Sequence, residues 1–287
     1  MGDECIHGFD DGLCATCFPP KEPEQKPTAT APVRGSTRGS ARTATASTRT
    51  ASSGAGRAAP TLTGRPLTAP PVEVGTIRIY HVTHLDNLGR ILGAGAILSD
   101  AGGANPVVDV AAPAVREFRR QQSVPGVDAT LADYVPFLLT PDALVWDAVR
   151  TASPDPRLRD DAVLRPAADH VILVGSVAAA RGALTEPGAV LVSDTDAALP
   201  GAELAIEWAD VERLLRRLVH ADETTRLRTA EFLARGEVPL ERIALIAVGN
   251  DKVRDRVRAA LAAVGVRAKV AVYPPWFQPA ELELDGD

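Results

Sequence analysis

All three cysteines of the chain, Cys5, Cys14 and Cys17, fall within its first twenty residues, and His7 stands among them in a C-x-H-x6-C-x2-C pattern. Three thiolates and one imidazole match the borderline-soft, tetrahedral preference of zinc, and the C-x-x-C pair lets two sulfurs reach one ion. Four protein ligands leave no open position, so a structural Zn2+ is expected rather than a catalytic one. The odd cysteine count argues against a disulfide-paired secreted module, and no strand-to-helix setting surrounds the pair as redox chemistry would require. The opposing reading is a reduced tail with coincidental spacing.

A second group of reactive side chains lies much further on. His81, Thr83, His84 and Asn87 are concentrated where a strand runs into a helix, a junction that can set polar groups and free backbone N–H groups around an anion. A histidine hydrogen-bonded beside the core is an equal reading of His81. Arg116, Arg119 and Arg120 offer forked donors to phosphate or, as an ordinary surface, salt bridges to water-exposed acids. Tyr134 and Phe137 can wall a flat ring or simply fill a core. Asp194 and Asp196 follow a strand and either position a ligand or cap a loop. Glu231, taken from composition alone, is a solvent-facing helix glutamate.

These groups need elements to hold them. The chain has 287 residues with 45% hydrophobic and 24% charged side chains and a formal charge of -6, which excludes a globally basic nucleic-acid coat but not a local basic channel. Residues 1–20 hold four acidic and no basic side chains, and residues 21–70 hold eight Lys/Arg against two Glu. That second stretch has only Val33, Leu62 and Leu67 as bulky aliphatics, too little to offset its ordering entropy, so a disordered basic tether is expected. One domain is expected over 71–280, followed by an acidic tail at 281–287. No run of about 20 apolar residues is present to span a membrane. The acidic first residues lack the basic-then-apolar order of a signal peptide, which points to the cytoplasm.

Within 71–280, alternation predicts a strand at 76–82, with Ile77, Ile79 and His81 on one side. A helix follows, with Leu85, Leu88, Ile91 and Leu92 on one face and the Gly93/Gly95 pair as its stop. A short basic helix or turn is expected at 112–120, and a strand-like run at 131–141 in which Pro136 argues for an edge, bulge or bend. Trp146 is expected to pack inward from a helical turn at 143–149. Apolar runs at 170–176 and 190–198 read as strands covered on more than one face. A helix from about Asp210, capped by its carboxylate, buries Val211, Leu214, Leu215 and Leu218. A second helix is expected at 223–236, then a strand at 243–248, an amphipathic helix from Asp251 and a last strand before PPWF. The order predicts an α+β domain with a mixed sheet. No G-x-G-x-x-G follows an early strand, and neither a P-loop nor a G-x-S-x-G elbow is present.

The ordered set IYHVTHLDNLGRIL (79–92), LADYVPF (131–137), SDTDAA (193–198), RTAEFLARGEVPLERI (228–243) and VYPPWF (272–277) resembles the DarT family of DNA ADP-ribosyltransferases. The resemblance implies an ADP-ribosyltransferase fold that uses NAD+ as a substrate to modify a base in single-stranded DNA, as a toxin controlled by an antitoxin partner. It implies that His81, Thr83 and Asn87 contact NAD+, that Tyr134 and Phe137 shape the cleft, and that Glu231 is the catalytic glutamate. Its catalytic arginine falls on Arg119 or, shifted by one, on Arg120. Asp194 is shared with the family, whereas Asp196 stands where the family carries a histidine and Leu138 where it carries an aromatic. A groove of Arg116, Arg119, Arg120, Arg226 and Arg228 is expected to track the strand, helped by the basic tether. Two alternatives follow from the Asp196 departure. One is a transferase acting on RNA, protein or a small molecule, and the other is a noncatalytic zinc-tethered binding protein.

Overall fold

The computed structural model describes residues 72–220 and 224–279. Cys5, His7, Cys14 and Cys17, with the zinc expected there, the basic tether and the acidic tail lie outside the described residues. Chain order begins with β1 (Arg78–His84), α1 (Leu88–Ala94), β2 (Ala96–Leu98), α2 (Pro113–Gln121), β3 (Tyr134–Leu138) and α3 (Leu144–Arg150). It continues with β4 (His170–Ser176), α4 (Val177–Arg181), β5 (Val190–Ser193), β6 (Leu204–Ala205), α5 (Trp208–Leu218) and α6 (Thr224–Leu227). The last elements are β7 (Glu231–Arg235), β8 (Glu237–Pro239), β9 (Leu245–Val248), α7 (Asp251–Val264) and β10 (Val270–Val272).

Eight strands form one sheet in the order β10-β9-β4-β1-β3-β7-β5-β6, and β2 pairs with β8 separately. Every neighbour pair of the large sheet is antiparallel except β9 with β10. The architecture is therefore α+β with a mixed sheet. The central strand β4 is buried at six of its seven positions, which is why its sequence reads as an unbroken apolar run rather than an alternation. One face of the sheet carries the main core. There Ile79, Leu173, Val192 and Phe232 meet the apolar stripes of α1, α5 and α7. Helix α5 buries the expected Val211, Leu214, Leu215 and Leu218, but it begins at Trp208 with Glu207 at the N-cap position, so Asp210 lies inside its first turn and is not the cap. Helix α7 is capped by Asn250, whose side chain accepts the Val253 N–H at 2.9 Å. Gly95 ends α1 at φ 72°, a conformation that costs glycine little and turns the chain directly into β2.

The opposite face carries two smaller clusters. One gathers Tyr80, Trp146, Ile172 and Phe277, the other Val124, Leu131, Tyr134, Leu191 and Leu233. A cavity opens where they meet.

One expectation is corrected here, and of the readings of Pro136 the edge is excluded. Residues 223–236 are not one helix: α6 is a single turn, and Glu231 begins a strand whose Phe232, Leu233 and Ala234 are all buried between β3 and β5. Burial on both faces overrides the helix propensity of Glu, Leu and Ala. Pro136 lies on an interior strand rather than an edge, opposite Leu233 of β7. Its missing N–H faces β1, and the β1–β3 ladder is reduced to the single pair Tyr80–Leu138. The sheet thus parts beside Pro136.

Candidate active site

The cavity has a volume of about 570 Å³ and is lined by residues from β1, β3, α2, α3 and the loops around them. Its charged end is built from four distant segments. Glu231, first residue of β7, is registered with Leu138 of β3 on one side and Ser193 of β5 on the other. That register puts the turn after β5 over the Glu231 carboxylate, and the Ala197 N–H donates to Glu231 Oε2 at 3.2 Å. Asp196 closes this turn by accepting the Ala198 N–H at 2.8 Å. Arg119 reaches in from the last turn of α2, where its Nη2 donates to Glu231 Oε1 and Oε2 at 2.9 and 2.7 Å and approaches Asp196 Oδ1 at 3.4 Å. Its Nη1 is buried and has no hydrogen-bond partner.

Arg157 completes the cluster. Its Nη1 stands 3.8 Å from Asp196 Oδ2, while Nε and Nη2 are clasped by Asp155 at 2.8 and 2.5 Å. Burial pushes Glu231 above the ordinary carboxylate range, the Asp196 charge adds to this, and Arg119 opposes it without prevailing. For Arg119, burial alone would lower the pKa, but the charges of Glu231 and Asp196 outweigh it and hold the guanidinium firmly protonated.

At the parting of β1 and β3, His81 Nδ1–H donates to the Pro136 carbonyl at 3.0 Å. A carbonyl only accepts, so Nδ1 carries the proton and Nε2 is left as an acceptor. Burial lowers the His81 pKa and keeps the ring neutral, against the Pro136 hydrogen bond. Asn87 is wholly engaged. Its Nδ2 donates to Thr83 Oγ1 at 3.0 Å and to the Val108 carbonyl at 2.8 Å, and its Oδ1 accepts the Val108 N–H at 2.8 Å.

The apolar end is lined by Tyr80, Val82, Leu138, Val145, Trp146 and His170. His170 Nδ1 donates to the Pro166 carbonyl at 3.2 Å, and its buried Nε2 is unpaired. Burial, reinforced by nearby His84, drives the His170 pKa down to about 4. Among the described residues no group of three or more His, Cys, Asp or Glu side chains is placed to hold a metal, and no helix is long and apolar enough to cross a membrane.

The sequence model of the family DarT, ssDNA thymidine ADP-ribosyltransferase, matches residues 80–278. The chain belongs to the DarT family. DNA ADP-ribosyl transferases of Mycobacterium bovis BCG and Mycobacterium tuberculosis H37Rv are 28% identical to it, with 69% of this chain and 88% of each relative aligned. In fold it is similar to Thermus sp. 2.9 DarT in complex with ADP-ribosylated ssDNA, at TM-score 0.58 and 24% identity over 70% of this chain and 96% of that one. The same Thermus protein in complex with NAD+ gives TM-score 0.55 and 23% identity over 70% and 97%.

Set against this DarT fold, the cavity gathers His81, Thr83, Asn87, Arg119, Tyr134, Asp196 and Glu231. Other expected residues are engaged differently. Of the two arginines, Arg119 holds Glu231, while Arg120 points outward to Asp100 at 2.9 Å. Phe137 is not on the cleft wall: residues 134, 136 and 138 face the cavity, so the strand period of two sends Phe137 into the main core under the His81 ring. Asp194 braces a loop by accepting the Glu203 N–H at 3.0 Å. Arg228 bonds the Asp142 carbonyl and Asp147, away from the cavity. Arg116 lines the cavity but is bound to Asp100 and Asp109. Sequence reasoning missed Arg157 and His170. Arg157 lies in DPRLRDD with no motif around it, and its only local signal is Asp155 two residues before it.

Proposed function

We propose that this domain transfers ADP-ribose from NAD+ to thymidine in single-stranded DNA, with Glu231 and Arg119 as its catalytic residues. The observation that carries the assignment is the buried Glu231 carboxylate held on both oxygens by Arg119, at the wall of a cavity in a chain matched by the DarT model.

The bond to be broken joins the ribose to a cationic nicotinamide. Its electron pair leaves with the ring, which becomes neutral, and positive charge develops on the ribose. A preorganised carboxylate lowers the energy of that charge. As the acceptor atom of the thymine forms the new bond to the ribose carbon, it gives its proton to the Glu231 carboxylate. Arg119 keeps the carboxylate fixed and has its unpaired Nη1 to offer a phosphate oxygen of NAD+. The neutral His81 presents Nε2 as an acceptor for a ribose hydroxyl. Thr83 and Asn87 act one step back, because the Asn87 amide is spent on Thr83 and the Val108 backbone and pins that segment beside the cavity. Tyr134 supplies a ring edge whose hydroxyl is tied to the Gly188 carbonyl at 2.8 Å. A toxin role held in check by an antitoxin partner accompanies this reading.

The test incubates the purified chain with NAD+ and single-stranded oligonucleotides with and without thymidine, followed by intact mass. An ADP-ribose adduct confined to thymidine-containing strands is expected. Label landing on RNA or protein pools instead would move the chain to a different acceptor.

A further inference from the structure

Asp196 brings a second buried carboxylate beside Glu231, where the resemblance implies a histidine. Two like charges at this spacing compete for the one guanidinium that touches both, since Arg119 Nη2 lies 2.7 Å from Glu231 and 3.4 Å from Asp196. Arg157 meets Asp196 from its other side, with Nη1 3.8 Å from Oδ2. The guanidinium is aimed from behind: Asp155 takes Nε and Nη2, and its Oδ1 also accepts the Arg157 backbone N–H at 2.9 Å. Nη1 is thereby turned toward the cluster.

The backbone holds this arrangement in register with Arg119. The Arg157 carbonyl accepts the Ala112 N–H at 2.8 Å, Ala111 and Leu158 form an isolated antiparallel bridge, and the Arg159 N–H donates to the Val110 carbonyl at 3.0 Å. Ala112 is the N-cap position of α2, the helix that carries Arg119. One short backbone clip therefore sets both arginines about the two carboxylates, and the charges alternate along Asp155, Arg157, Asp196, Arg119 and Glu231.

We propose that Arg157 is the positioning residue that makes Asp196 compatible with catalysis, by neutralising it so that Arg119 stays committed to Glu231. This inference rests on the transferase reading above. The groups facing Glu231 are Arg119 from α2, Asp196 and the Ala197 N–H from the turn after β5, and beyond Asp196 the Arg157–Asp155 pair. Loss of Arg157 leaves two carboxylates sharing one guanidinium, so the uncompensated Asp196 charge raises the pH at which Glu231 takes up a proton. Protonated Glu231 neither stabilises the ribose cation nor accepts a proton, and the acid limb of the rate profile moves upward.

The test is the single-turnover rate of ADP-ribose transfer to a thymidine-containing strand, followed from acid to neutral pH. In R157Q the acid limb should move up by about half a pH unit or more, roughly a threefold loss of rate on that limb. R157K keeps the charge but loses the fork that Asp155 clasps, so its limb should lie between the parent and R157Q, and R157Q/D196N should return the limb toward the parent because the uncompensated Asp196 charge is gone. D196N alone should move the limb downward, a result that does not depend on the folding of an Arg157 variant. An R157Q limb that superimposes on the parent, or a D196N limb that does not move, overturns the inference. Absence of transfer by the parent chain would instead overturn the transferase reading itself.

Discussion

At one end of the cavity Arg119 reaches both Glu231 and Asp196, and Arg157 stands 3.8 Å from Asp196; at the other, His170 sits among Tyr80, Val82 and Trp146 with one ring nitrogen unpaired. Both ends take titratable groups out of water, and they meet the cost differently. The charged end pairs its buried groups, so the removal of one partner costs more than the pair is worth. The apolar end removes the charge, since a histidine pushed to about pKa 4 is neutral at physiological pH. Chemistry that creates positive charge belongs at the first end, and a ring or base that must be stripped of water belongs at the second.

The contrast can be broken most sharply at Arg119. Arg119→Ala should lower transfer by about a hundredfold or more and destabilise the domain by about 3–5 kcal/mol, because Glu231 is left buried without its cation. Thermal melts should show Arg119→Ala/Glu231→Gln to be more stable than Arg119→Ala alone. Equal melting would mean that burial at this end does not depend on pairing. Trp146→Ala tests the other end through packing. It removes a buried indole whose Nε1–H donates to the Trp276 carbonyl at 2.7 Å, and a loss of about 3–5 kcal/mol in urea unfolding is expected, with no rescue by charge changes.

His170 gives the pH counterpart. Its folded pKa lies below the unfolded value, so the folded state binds fewer protons. The stability it contributes is complete above about pH 6.5 and is lost as pH falls toward about 4, on the order of 3 kcal/mol in all. Unfolding measured across that window should fall less steeply for His170→Phe than for the parent. An unchanged slope would show that His170 is not held neutral. The smallest effect is expected at Asn87→Ala, about 1–3 kcal/mol, from the unpaired Val108 N–H and carbonyl. Transfer should then weaken through the Val108 segment, seen as a rise in KM for NAD+.

Local pattern made much of the scaffold readable. The unbroken apolar run of β4 and the stripes of α5 and α7 are local signals set by burial. What failed was anything decided by partners distant in sequence. EFLAR has the composition of a helix and becomes a strand only because β3 and β5 flank it. Pro136 signals an edge, bulge or bend by local rules, and the choice among them is made by the parting of β1 and β3 around an interior strand. The cluster depends on ion pairs 77 and 112 residues apart, which no window along the chain can see. Arg119 and Arg120 differ only in which side of α2 faces inward, and Arg157 had no motif to mark it.

The most direct measurement compares Glu231→Gln with the parent in ADP-ribose transfer to a thymidine-containing single strand, at saturating NAD+ and matched folded fraction, read by intact mass of the DNA. The rate should fall by about a hundredfold or more while NAD+ still binds. Transfer by Glu231→Gln at near the parental rate would take this carboxylate out of the chemistry.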